Sequence, residues 1–152
     1  MGSVSERLRD LGITLPERRS FGKYAGAARA GNLVFVSGAG PIGTDGAVTG
    51  KVGGDVDIAT AQEGARLCVI NCLSALQEEI GDLEKVRRVV KLLGFVNSAP
   101  GFNQQHVVMD GASGLLLDLF GEKGRHARSS VGMAELPMNI AVEVEMIVEA
   151  AE

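Results

Sequence analysis

The stretch from Ala141 to Glu149 most constrains what this chain can fold into. Val142, Val144, Met146 and Val148 alternate with Glu143, Glu145 and Glu149. A period of two puts the apolar set on one face of a β-strand and the acids on the other. A strand of that kind needs a sheet with one covered face. Two helical patterns are available as cover. Ile58, Ala61, Ala65, Cys68, Val69, Cys72, Leu76 and Ile80 recur at three- and four-residue spacing. That spacing predicts an amphipathic helix capped by Asp57 and ended by Gly81. A second helix is expected over Phe102 to Phe120, bent at Gly111, with Leu115, Leu116 and Leu119 turned to the sheet.

The remaining strands follow from composition and turn chemistry. Tyr24 to Ala30 and Asn32 to Ser37 read as a hairpin about Gly31, with Leu33-Val34-Phe35-Val36 as its buried strand. Gly40 to Asp57 reads as a long loop with a short extended piece at Lys51-Val52. Val86 to Val96 is β-branched and carries Arg87, Arg88 and Lys91, which predicts a central strand with one wet end. His126 to Ala134 alternates as well, and Pro137 separates it from the last strand. Ahead of Pro16, Val4 to Leu11 can form a short helix. The resulting order is β-β-α-β-α-β-β, an α+β sheet with both helices on one face. The other face is left bare and aliphatic, which is a reason to expect an oligomer. A length of 152 residues is that of one domain, 1–152, with 1–20 as a lead-in.

Composition narrows the function. The net charge is −4, and basic residues cluster no further than Arg18-Arg19 and Arg87-Arg88, which argues against nucleic acid as a partner. Cys68 and Cys72 lie four apart in the first long helix, a spacing poor for a disulfide, and read as small buried hydrophobes. His106 and His126 have no ligands at metal spacing, so exposed or structural roles are expected and no metal is. The Gly38-Ala39-Gly40-Pro41 segment opens into a loop and not a helix, which gives no phosphate cradle. The charged start and the lack of any run of about 18 apolar residues predict no signal peptide, no membrane span and a cytoplasmic location.

Charges set among small or aliphatic residues on strands need partners, and Arg128 and Glu143 are in that position. By alternation Arg128 shares a face with Ser130 and Gly132, small residues that would leave room beside the guanidinium. Its planar fork suits the carboxylate of a substrate. It suits equally an internal salt bridge between strands.

From about Tyr24 to Glu149 the sequence resembles the RidA/YjgF family, also called the L-PSP family. The resemblance is carried by Tyr24, by Gly31-Asn32-Leu33-Val34-Phe35-Val36-Ser37-Gly38, by Pro41 and Asn71, by Ala127-Arg128-Ser129, by Leu136-Pro137 and by Val142-Glu143-Val144-Glu145. Gly111-Ala112-Ser113, Phe120-Gly121-Glu122 and His126-Ala127-Arg128 resemble a longer branch of that family. The resemblance implies a chorismate-mutase-like α+β fold and a homotrimer whose sheets form an inner barrel, with clefts at the subunit boundaries. It implies hydrolysis of reactive 2-imino or enamine acids to 2-oxo acids and ammonia, with no metal or organic cofactor. Arg128 would hold the substrate carboxylate and Glu143 would activate water. Tyr24, Ser37 and Ser130 would line the pocket.

The chain departs from the deaminase pattern at two positions, with Asp110 in place of Asn and Ser130 in place of Cys. Asp110 either brings a second carboxylate to the cleft, pairing with Arg128, or it points outward or caps the turn before Gly111. A trimer that binds or senses small carboxylates without turnover is the alternative to a catalyst. An endoribonuclease is a further one, disfavoured by the acidic charge and the lack of paired histidines.

Overall fold

A computed structural model describes residues 2–18 and 21–152. Met1, Arg19 and Ser20, part of the expected lead-in, lie outside the described residues. The elements in chain order are α1 (Val4–Asp10), β1 (Ala27–Ala30), β2 (Leu33–Ala39), β3 (Ile42–Gly43), β4 (Gly46–Ala47), α2 (Ile58–Ile80), β5 (Val86–Asn97), α3 (Gln105–Phe120), β6 (Ala127–Met133) and β7 (Val142–Ala150), with short 3-10 turns at Leu83–Lys85, Gly121–Gly124 and Pro137–Asn139. Five strands form one sheet in the order β1-β2-β7-β5-β6, and β3 and β4 form a separate small hairpin.

The alternation in β7 is realised in full: Val142, Val144, Met146 and Val148 are buried, and Glu143, Glu145 and Glu149 are half-buried on the opposite face. β7 pairs antiparallel with β2 and with β5. β5 and β6 run parallel, with Leu92 opposite Arg128 and Gly94 opposite Ser130. Parallel neighbours need a long crossover, and α3 supplies it. α2 packs on β7, β2 and β1, while α3 packs on β5, β6 and α2. Both helices therefore cover the same face, as expected. Asp57 caps α2 through the Thr60 amide at 2.8 Å, and Gly81 ends it.

The helix layer holds a third member. α1 carries a capping box between Ser3 and Glu6 and buries Val4 and Leu8. Glu84 accepts a hydrogen bond from the Val4 amide and ties α1 to the turn after α2. The expected strand from Tyr24 begins only at Ala27, and the long loop contains the β3–β4 hairpin. Its two-residue strands are too short to show a period of two.

α3 runs unbroken from Gln105 to Phe120, with no break at Gly111, where a bend was expected. Gly111 is instead where α3 meets α2, since a Cβ there would stand 2.3 Å from the Gln62 carbonyl oxygen. Gly114, one turn on, has nothing within 4 Å of the same position. The two glycines make a paired test by urea unfolding. Gly111→Ala must separate two helix backbones and should lose about 1–3 kcal/mol, despite a gain in helix propensity. Gly114→Ala should keep that gain, up to about 1 kcal/mol.

Candidate functional site

The register puts Arg128 and Glu143 on opposite faces of the sheet. Arg128 stands beside Leu92, which pairs with the buried Met146, so it points to the helix layer. Glu143 stands beside Phe95 on the face that no helix covers. A single chain thus brings its two principal charged candidates to two separate places.

Around Arg128 the wall is α3. His106, Asp110 and Ser113 are spaced by four and three residues and share one helix face. Arg128 donates from Nη1 to Asp110 Oδ1 at 2.9 Å and to Ser113 Oγ at 3.0 Å, and from Nη2 to the His106 carbonyl at 3.1 Å. Of the placements left open for Asp110, the pairing with Arg128 is the one present, although the Arg128 side chain is 23% exposed and that of Asp110 65%. A pair this open to water contributes little to stability, on the order of 1 kcal/mol or less.

The room anticipated beside Ser130 and Gly132 is filled by α3. A Cβ on Gly94 would strike the Met109 sulfur and one on Gly132 the Gln105 amide, at 2.3 and 2.8 Å. Ser130 Oγ is buried between the layers with no hydrogen-bond partner among the described residues. It lies on the same strand face as Arg128, two residues away.

His126 sits at the end of the turn before β6 and joins this cluster. Its Nε2 is 2.9 Å from Ser113 Oγ, and its Nδ1 is 2.6 Å from the Gly124 carbonyl. His106 contributes only its carbonyl, and its side chain is exposed. The roles of Ser113 and His126 were not foreseen. The available signal was helical spacing from Asp110 to Ser113, together with a histidine two residues before Arg128.

Tyr24, Ser37 and Glu143 gather elsewhere. Ser37 Oγ donates to the Ala25 carbonyl at 2.6 Å and its amide to the Gly26 carbonyl at 2.9 Å, which fixes the segment carrying Tyr24. Tyr24 is 52% exposed. Tyr24, Ser37 and Gly38 line a cavity of about 520 Å³ that reaches Arg18, Arg66 and Asn71. Glu143 lies over Gly38, where a Cβ would stand 2.6 Å from its Oε2. Asn71 donates to the Gly40 and Ile42 carbonyls at 3.0 and 2.9 Å and so shapes the cavity wall.

Burial, and then the neighbouring Glu145, raise the pKa of Glu143 above the ordinary carboxylate value. Burial also raises both thiols, that of Cys72 to about 12. Cys68 and Cys72 donate to the Val142 and Val144 carbonyls beneath Glu143. Among the described residues, no group of three or more His, Cys, Asp or Glu could hold a metal ion, and no helix is long and apolar enough to cross a membrane.

Residues 5–150 match the family described as "YjgF/chorismate mutase-like, putative endoribonuclease". Protein TCP17 of Trypanosoma cruzi is 43% identical over 97% of this chain and 94% of its own length. The crystal structure of Atu1372 from Agrobacterium tumefaciens, a protein described as of unknown function, superposes with a TM-score of 0.91 at 49% identity, covering 97% of this chain and 93% of that one. The YjgF gene product of Escherichia coli superposes with a TM-score of 0.60 at 25% identity, over 90% and 94% of the two chains.

The raised carboxyl of Glu143 has a measurable sign. The folded protein holds this proton more tightly than the unfolded chain, whose Glu value is about 4.3. Stability must then fall as pH rises from that value through the higher folded one. Glu143→Gln should match the wild type at pH 3 and unfold at a higher urea concentration at pH 7. Equal midpoints at both pH values would show that the carboxyl is not opposed by its surroundings.

Proposed function

The chain belongs to the YjgF/chorismate-mutase-like family, and we propose that it is a deaminase that hydrolyses reactive 2-imino or enamine acids to 2-oxo acids and ammonia. The observation that carries this reading is the state of Arg128. A guanidinium has five N–H donors, and three of them are engaged by α3. The two left over, on Nε and Nη2, have no partner among the described residues. The head is held at a fixed angle with donors to spare, as capture of a small carboxylate requires.

The proposed active unit is a homotrimer. The uncovered sheet face exposes Leu33, Phe35 and Val131, and β6 is a free edge. Association through these surfaces would put Arg128 of one copy against Tyr24, Ser37 and Glu143 of the next. The separation of the two clusters within one chain is the reason to invoke a neighbour.

In that composite cleft Arg128 holds the carboxylate while Glu143 takes a proton from the attacking water. A raised carboxyl pKa suits a general base working near neutrality. Ser130 lies behind Arg128, its hydroxyl buried between the sheet and α3 with no partner among the described residues, so a place for it in the pocket requires that packing to open. The chemistry calls for no metal or organic cofactor. An endoribonuclease finds less support here, because the net charge is −4, and His126 is engaged by Ser113 and Gly124 while the exposed His106 contributes only its carbonyl to the Arg128 cluster.

The test is ammonia release by the purified protein from 2-imino acids generated in situ by an amino-acid oxidase. Arg128→Ala should lower kcat/KM by about 10- to 100-fold, as expected for a charged hydrogen bond worth roughly 1.5–3 kcal/mol. Sedimentation should give the mass of three chains. Calorimetric binding of a 2-oxo acid with no acceleration of imine hydrolysis would replace the enzyme with a carboxylate sensor.

A further inference from the structure

The cluster around Arg128 contains a second chemical device. Nδ1 of His126 faces the Gly124 carbonyl at 2.6 Å. A carbonyl can only accept, so Nδ1 carries hydrogen and the neutral ring presents a lone pair at Nε2. A protonated ring would donate from Nε2 to Ser113 Oγ, 2.9 Å away; with the neutral ring Ser113 donates to Nε2. The same oxygen accepts from Arg128 Nη1 at 3.0 Å. The result is a directed chain: Arg128 donates to Ser113, Ser113 to His126, and His126 to Gly124.

A hydroxyl within reach of a histidine, with the histidine oriented by a third group, is the arrangement by which proteins move protons through serine. Ser113 and His126 are both only partly buried, and the hydroxyl is attached to the guanidinium proposed to hold the substrate. The hydrolysis described above needs two proton movements. Water must lose one proton, and the departing nitrogen must gain one. Glu143 accounts for the first, and Arg128, which never gives up its proton, cannot account for the second.

We propose that Ser113 and His126 form the proton-delivery pair of the Arg128 cleft, Ser113 as the catalytic residue and His126 as the positioning residue that acts through it. The proposal rests on the deaminase reading. Water adds to the C=N carbon of the iminium acid, forming a C–O bond, and its proton passes to Glu143. The carbinolamine nitrogen then takes the Ser113 proton as Ser113 takes one from Nε2 of protonated His126. The C–N bond breaks with its electron pair on nitrogen, and the carbinolamine hydroxyl proton leaves with the ammonia as ammonium. Glu143 returns its proton to solvent and His126 takes one up, so iminium and water give 2-oxo acid and ammonium. The charged groups linked to the imidazole are Arg128 on β6, joined to it through Ser113, and Asp110 on α3, which pairs with Arg128; Glu122, Lys123 and Arg125 precede His126 closely in the chain. Of these, Glu122 and Arg125 pair with each other at 3.7 Å.

The experiment measures ammonia release against pH for the full-length wild type and for His126→Gln, Ser113→Ala and Arg128→Ala. Glutamine can still hydrogen-bond Ser113 but does not titrate. A purely structural histidine would thus be replaced without cost, and a proton donor would not. His126→Gln should keep KM within about twofold and lose about 100-fold in kcat, within the usual range for acid–base groups. The alkaline decline of kcat in the wild type should vanish with it, and Ser113→Ala should lose rate to a similar extent. A His126→Gln protein with wild-type kcat and an unchanged alkaline limb overturns the relay. If Arg128→Ala is impaired in the same series, the deaminase reading stands without it. A wild-type protein that releases no ammonia overturns both.

Discussion

Much of this molecule depends on how closely α3 approaches the sheet. Side chains at positions 94 and 132 would collide with Met109 and Gln105, so glycine at both sites lets a helix lie almost on the backbone of β5 and β6. Gly111 does the same on the side of α2. Close approach brings Asp110, Ser113 and the His106 carbonyl within hydrogen-bonding distance of Arg128 at once. The arginine owes its orientation to three partners on one helix face, and that face is fixed by contacts made at glycines. Packing and site geometry are the same constraint.

The sheet was legible in the sequence wherever one face is buried. β7 and α2 were readable because their apolar residues repeat at the period of the element that carries them, and β5 because it is rich in β-branched residues. The cap at Asp57 and the stop at Gly81 marked α2 by the same chemistry that orders its ends. α1 was less legible, since seven residues with two buried side chains read equally well as a loose lead-in. It packs on the core through Val4 and Leu8 and is tied to the turn after α2 by Glu84, eighty residues away. The β3–β4 hairpin has no period to read, and Gly111 resembled a helix breaker because only the facing carbonyl of Gln62 reveals its purpose.

The candidate site was legible in part for a related reason. Arg128 stood out as a charge among small residues, and the small residues were correctly placed on its face. Their purpose was not visible, because alternation identifies a face without saying what packs on it. The room beside the guanidinium turned out to hold a helix. Glu143 was assigned to the uncovered face by the same alternation, yet its placement opposite Arg128 requires the pairing of β7, β5 and β6 to be known. His126 and Ser113 were invisible as a pair, since thirteen residues and the end of a helix separate them in the chain.

The sealed thiols have a consequence for the chemical reactivity of the folded chain. Cys68 and Cys72 are the only sulfhydryls in the sequence, both fully enclosed between α2 and β7. A thiol held in its neutral form is a poor nucleophile. With both thiols sealed in the core and Met138 as an exposed thioether, reagents that seek a thiolate find none accessible while the fold is intact.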